Sequence, residues 1–167
     1  LHLAQSIPAT PGQAEKQPMV IPLRIKLYDL DGGHGREAEQ LIILDKAEMA
    51  VPCGVYRSMP VLSFNRGFSA PIIAQVERAS GDLAWLARHD DELFARYEAM
   101  QQMMTDTLVA AIGAGALDPA AVQAVTDAIA ACLSDDQIDP ALAADIITLP
   151  SEAFLGEQML VIDPDAI

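Results

Sequence analysis

The sequence predicts a β module followed by an α module: an antiparallel sandwich of short strands, then an array of α-helical hairpins. Three observations carry this. Before about residue 80 apolar residues alternate with polar ones, and Pro and Gly are dense; after it, apolar residues recur every three or four positions. No helical period separates the early strands, which favours an antiparallel sandwich over a parallel sheet. The charge divides along the same line. Residues 1–96 hold all ten Lys and Arg with twelve acids, whereas residues 97–167 hold twelve acids and no Lys or Arg.

Leu23, Ile25 and Leu27 alternate with Arg24, Lys26 and Tyr28, which predicts a half-buried strand. Asp29-Leu30-Asp31-Gly32-Gly33 supplies the turn, since Asp and Gly tolerate positive φ. Leu41–Leu44 reads as a second strand, buried on both faces. Met49–Val55, interrupted by Pro52 and Gly54, reads as an edge or bulge strand. Val61–Asn65 and Ile72–Glu77 complete the set.

Asp82 is expected to cap one long helix striped by Leu86, Leu93, Tyr97, Met100, Met104, Leu108 and Ile112, ended by Gly113 and Gly115. Asp118-Pro119 opens the next, with Val122, Val125, Ile129 and Leu133 on one face. Asp139-Pro140 repeats the device ahead of Leu142, Ile146 and Leu149. Ser151 and Glu152 start a fourth, short helix. Short joints between such helices predict hairpins. The joint between the modules falls near Ser80-Gly81.

The chain has 167 residues and a net charge of −14. A polyanion lacks the basic footprint of a nucleic-acid binder and is repelled by anionic lipid headgroups. A disordered acidic tail is excluded too, because 51% of the residues are hydrophobic, enough to form a core. The longest apolar run, Leu108–Leu117, contains two glycines and is far short of the ~20 residues of a membrane span. No leader pattern is visible. The chain begins with Leu1 rather than Met, which reads as a processed or excised piece. Cys53 and Cys132, far apart and in no ligand spacing, read as free thiols in a reducing compartment.

Motifs for chemistry were sought and rejected in turn. His2, His34 and His89 form no His-Glu-x-x-His and have no partner at ligand spacing. In His89-Asp90-Asp91-Glu92 the neighbours do not share a helix face, so they make poor co-ligands. Gly32-Gly33-His34-Gly35 leads into a strand, not a helix, and reads as a hairpin rather than a phosphate cradle. The runs at Asp29/Asp31 and Asp135-Asp136 lack a calcium loop's closing Glu or its Gly. No Gly-x-Ser-x-Gly elbow occurs. Met100, Met103 and Met104 read as helix core rather than a soft-metal site. The residues give no catalytic, cofactor-binding or metal set.

Several blocks nevertheless resemble one family. Thr10-Pro11-Gly12-Gln13-Ala14-Glu15-Lys16-Gln17-Pro18, then Arg66-Gly67-Phe68-Ser69-Ala70-Pro71-Ile72, then Arg88-His89 with Phe94-Ala95-Arg96-Tyr97-Glu98-Ala99 and Gln101, and finally Ile138 to Glu152 are similar, in order, to stretches of bacterial aminopeptidase N, a zinc-dependent alanyl aminopeptidase family. The resemblance implies an immunoglobulin-like β-sandwich at 1–80, cut close to the start of its first strand, and the opening helices of a C-terminal α-superhelix at 81–167. Pro52-Cys53-Gly54 departs from the family's strand residues. It also implies a cytoplasmic parent whose zinc sits in a catalytic domain, on His-Glu-x-x-His and a later Glu, with a Gly-x-Met-Glu-Asn motif for the substrate's amino terminus. None of these motifs occurs here, so no site residue carries over.

The expected partners are therefore the catalytic and remaining helical domains of the same polypeptide and, for the parent, peptide substrates. Self-association of the fragment is expected from its apolar helix faces. Two alternatives compete: a stand-alone module binding a protein or sugar, and a calcium-buffering acidic protein. A reading frame that continues upstream into His-Glu-x-x-His separates the first from the family reading, and that continuation is expected.

Overall fold

The structure is a computed structural model describing residues 1–30, 38–79, 81–165 and 167. The turn glycines Gly32, Gly33 and Gly35, with Asp31, His34 and Ser80, lie outside the described residues. The chain separates into two compact units, Leu1–Val76 and Glu77–Ile167.

The first unit is built on β2 (Ile21–Tyr28), with β1 (His2–Ala4), β3 (Gln40–Leu44), β4 (Glu48–Ala50) and β5 (Val61–Phe64). β2 is central in an antiparallel sheet of order β3-β2-β5, and β1 pairs with β4 in a second, two-stranded sheet. The alternation read in the sequence sets the inner face. Leu23, Ile25, Ile42 and Leu44 point to one side and meet Leu3 of the small sheet and Ala70, all nearly inaccessible. Gln5 ties the layers at one end: its amide nitrogen donates to the carbonyls of Met19 (2.9 Å) and Lys46 (3.0 Å), and its amide oxygen accepts from Met19 N.

Three strand expectations change. β3 is buried on one face only, because Leu41 is 62% and Ile43 44% exposed. Met49–Val55 shortens to Glu48–Ala50, since the backbone beyond Pro52 forms no ladder among the described residues. Ile72–Glu77 forms no strand. Ile72 N turns back to the Ala70 carbonyl, no described strand lies alongside, and Ile73 is fully exposed.

The second unit contains α1 (Asp82–His89), α2 (Leu93–Ala114), α3 (Pro119–Leu133), α4 (Pro140–Ile147) and α5 (Glu152–Glu157). α1 and α3 pack on each other and on α2, which also meets α4 and α5. The single long helix expected from Asp82 is two helices. Glu92 adopts an extended conformation and its carboxylate accepts from Phe94 N (3.0 Å) and Ala95 N (2.8 Å), so a side chain supplies what a preceding helical turn would have. The three-residue break leaves the apolar spacing nearly in phase, and periodicity does not register it. Gly81, in the left-handed conformation, occupies the cap position of α1; Asp82 sits one place later and accepts from Ala79 N.

α2 does end at Gly115, with φ 69°, whereas Gly113 lies inside it. Met100, Met103 and Met104 are buried. On α3 the buried residues are Ala128 and Cys132, while Val122 and Leu133 face outward. Small residues let the helix sit close to its neighbours, which a stripe of large aliphatic side chains would have prevented.

The Asp-Pro starts behave as the spacing predicts. Asp118 accepts from Ala120 N (3.0 Å) and Asp139 from Ala141 N (2.9 Å), with Pro at the first helical position of both helices. Asp118→Ala should cost about 1 kcal/mol, read as a thermal midpoint lower by several degrees. An unchanged midpoint would show that the cap contributes nothing.

Candidate functional site

Two of the family-like blocks each carry a buried arginine, Arg66 and Arg96. In the first unit, β2 turns Arg24, Lys26 and Tyr28 to the outer face of the sheet, and pairing sets Ser63 opposite Lys26. Arg66, 3% exposed, lies over this face. Its Nε donates to Glu39 (2.9 Å), and one terminal nitrogen donates to the Tyr28 hydroxyl (3.2 Å) and Ser63 Oγ (3.0 Å). Glu39 also faces Arg24 at 3.6 Å, and the Lys26 ammonium lies 4.9 Å from the centre of the Tyr28 ring.

The 3-10 turn Arg66–Phe68 delivers that arginine through left-handed backbone at Asn65 (φ 54°), Gly67 (φ 58°) and Phe68 (φ 49°). Such conformations cost on the order of 1–3 kcal/mol each at a non-glycine residue and persist only where their surroundings hold them. Here the Asn65 amide does so, donating to the Ala70 carbonyl and accepting from Ala70 N and Ser69 Oγ. Ser69 Oγ in turn accepts from Arg24 N (2.9 Å), fastening the turn beside β2.

In the second unit, Arg96 of α2 is 6% exposed. Its Nε donates to the Ala87 carbonyl near the end of α1 (3.2 Å), and a terminal nitrogen donates to Asp135 after α3 (2.7 Å). One guanidinium thus joins three helices. The hydrogen bond from Arg96, aided by Gln137 N, holds the Asp135 carboxyl below the usual carboxylate range. Gln101, one turn and a half further on, donates to the Thr148 carbonyl (2.9 Å) at the end of α4. Two blocks 37 residues or more apart in sequence, around Arg96–Gln101 and Ile138–Glu152, therefore meet in space. Neither arginine belongs to a ligand or nucleophile motif in the sequence. The signal was available: a lone Arg within an apolar helical stripe.

The remaining candidates are dispersed. His2 faces Glu48 at 3.8 Å on the small sheet, and the His89 ring lies tilted against Trp85, one turn away on α1, with 5.3 Å between ring centres. Asp90 accepts from Glu92 N, so the acids beside His89 serve the helix break. Asp135 and Asp136 follow α3, where Asp135 also accepts from Gln137 N (3.0 Å). Cys53 and Cys132 are free thiols, and burial pushes that of Cys132 up. Burial also raises Glu98, on α2. Among the described residues no group of three or more His, Cys, Asp or Glu side chains could hold a metal ion. Two shallow grooves are present, one bounded by Gly156, Ile162 and Ile167, the other by Gln5, Lys16 and Ala47. Neither pairs a nucleophile with a base. No described helix is long and apolar enough to cross a membrane.

Residues 1–77 match the family model described as a domain of unknown function (DUF3458) with Ig-like fold, and residues 80–167 the one described as DUF3458_C, ARM repeats. Over its full length the chain is 36% identical to aminopeptidase N of Escherichia coli (strain K12), covering 20% of that protein. It is 38% identical to aminopeptidase N of Caulobacter vibrioides over 143 residues, covering 86% of the chain and 16% of the relative. Among solved structures, aminopeptidase A of Legionella pneumophila in complex with aspartic acid superimposes with a TM-score of 0.73 at 30% identity, over 87% of this chain and 17% of that one. The chain spans at most about a fifth of the length of each of these relatives.

Proposed function

The chain belongs to the aminopeptidase N family, whose Ig-like and ARM-repeat domains it spans, and from that premise we propose that it is a non-catalytic, structural portion of a zinc-dependent aminopeptidase. Its role is to support the catalytic domain and to form part of the wall enclosing it. The observation that carries this reading is a match along 86% or more of the chain to no more than a fifth of each relative, on residues used up in scaffolding.

Among the described residues no group of three or more His, Cys, Asp or Glu side chains could hold a metal ion, and Asp90 and His2 are engaged in a helix break and an ion pair. In this reading the metal, the water it activates and the groups that grip a peptide's amino terminus belong to the catalytic domain, and no step of hydrolysis is derived from this chain. Its partners are the catalytic and remaining helical domains of the same polypeptide, in the cytoplasm. Exposed Leu117, Leu133 and Leu149 are the side chains that neighbouring helices would cover, and through which the isolated chain would self-associate.

The purified 167-residue chain is expected to hold no stoichiometric zinc by elemental analysis and to leave alanine p-nitroanilide intact. Zinc-dependent turnover by the chain alone would overturn the assignment.

A further inference from the structure

We infer that one half of the outer sheet face of the β unit, formed by Pro22, Arg24, Leu41 and Ile43, is the surface on which the rest of the polypeptide docks. The inference rests on the reading of the chain as part of a longer aminopeptidase. The two halves of this face are built differently. Around Lys26, Tyr28 and Ser63 it is sealed by Arg66, and all four residues are buried. Beyond Arg24 and Glu39 it is open. Pairing places Ile43 beside Pro22 and Leu41 beside Arg24, with Leu41 and Ile43 62% and 44% exposed.

An antiparallel sheet with one face on its core carries polar side chains on a face left to water. Here two large aliphatic residues stand there instead, on an edge strand where charged residues would guard a free surface. Arg24 is held by Glu39, and the strained turn at Phe68, itself 56% exposed, is bolted to Arg24 N through Ser69. A preset apolar patch with a paired charge at its rim has the make-up of an interface core.

The occupant follows from length. The relatives are about five times as long as this chain, so most of such a polypeptide lies outside it and is held beside it at high effective concentration.

The test uses the full-length protein. A benzophenone amino acid replaces Leu41 in one variant and, as a control, the fully exposed Val55 in another. A third variant carries Leu41→Lys with Ile43→Lys. Light should join position 41 to a peptide of the same molecule outside these 167 residues, with no such product from position 55. The double substitution should lower the thermal midpoint by about 5 °C. A product of twice the molecular mass, a cross-link confined to residues 1–167, or no cross-link with an unchanged midpoint would each overturn the docking face. Alanine p-nitroanilide turnover by the unsubstituted full-length protein is measured in parallel. If turnover is present and the cross-link absent, only the docking face fails; if turnover is absent, the enzyme reading itself fails.

Discussion

Arg96→Ala is expected to destabilise the helical unit by about 3 kcal/mol, from charged hydrogen bonds worth roughly 1.5–3 kcal/mol together with lost packing of the buried stem. The substitution unfastens α1 at Ala87 and the segment after α3 at Asp135, while α2 keeps its own cap at Glu92. For a unit of this size the thermal midpoint should fall by 10 °C or more. Asp135→Asn should weaken the unit less, because Asn can still accept a hydrogen bond.

The pH dependence gives a second readout. Arg96 depresses the folded-state pKa of Asp135, so the pair's stabilisation is fully present above the ordinary carboxylate value. It is lost as pH falls through the lower, folded value. The difference between wild type and Asp135→Asn should therefore be constant from pH 7 down to about 4 and shrink below that. Urea midpoints across this range would measure it. A difference that grows on acidification, or an Arg96→Ala midpoint within a degree or two of wild type, would remove the pair from the account of what holds these helices.

Ile25→Ala carries the largest expected effect in the first unit, about 4 kcal/mol, within the 2–5 kcal/mol range of aliphatic-to-alanine cavities. Ile25 is fully buried at the centre of β2, paired with Gln40 on one side and Phe64 on the other, and it joins the two sheets' shared core. Little around it can collapse into the space, since its neighbours are held by ladders on both edges. Hydrogen exchange at the amides of β2 should accelerate about 100-fold or more, in keeping with that free energy. Leu41→Ala, on the outer face of the adjacent strand, is the contrast: in the isolated chain it should change stability by no more than about 0.5 kcal/mol. Equal effects at the two positions would mean that the face assignment of the sheet is wrong.

The contrast between these two positions also marks how far the sequence could be read. The alternation Leu23, Ile25, Leu27 specified a strand and its core face, and the structure agrees; the half-buried expectation fails at Lys26 and Tyr28, which Arg66 covers on the other face. The run Leu41–Leu44 offers no alternation, and its outward residues became visible only once β3 proved to be the edge of its sheet. At the helix break, Asp90-Asp91-Glu92 has the composition of a ligand cluster, but Asp90 and Glu92 act as acceptors for backbone N–H groups. The family-like blocks were recognisable without the reason for their form. Asn65, Arg66, Arg96 and Gln101 owe their place to backbone and side-chain partners 5 to 47 residues away.

By itself the sequence determined the order of β then α, the Asp-Pro helix starts, the glycine stop at Gly115 and the family. These follow from local rules of periodicity, capping and charge, or from a linear pattern of blocks. Tertiary structure alone decided which sheet face is open, where the long helix divides, and that two buried guanidinium groups fasten strands and helices. Each of those depends on which distant groups meet, and a buried charge is stable only where the chain returns to supply its partner.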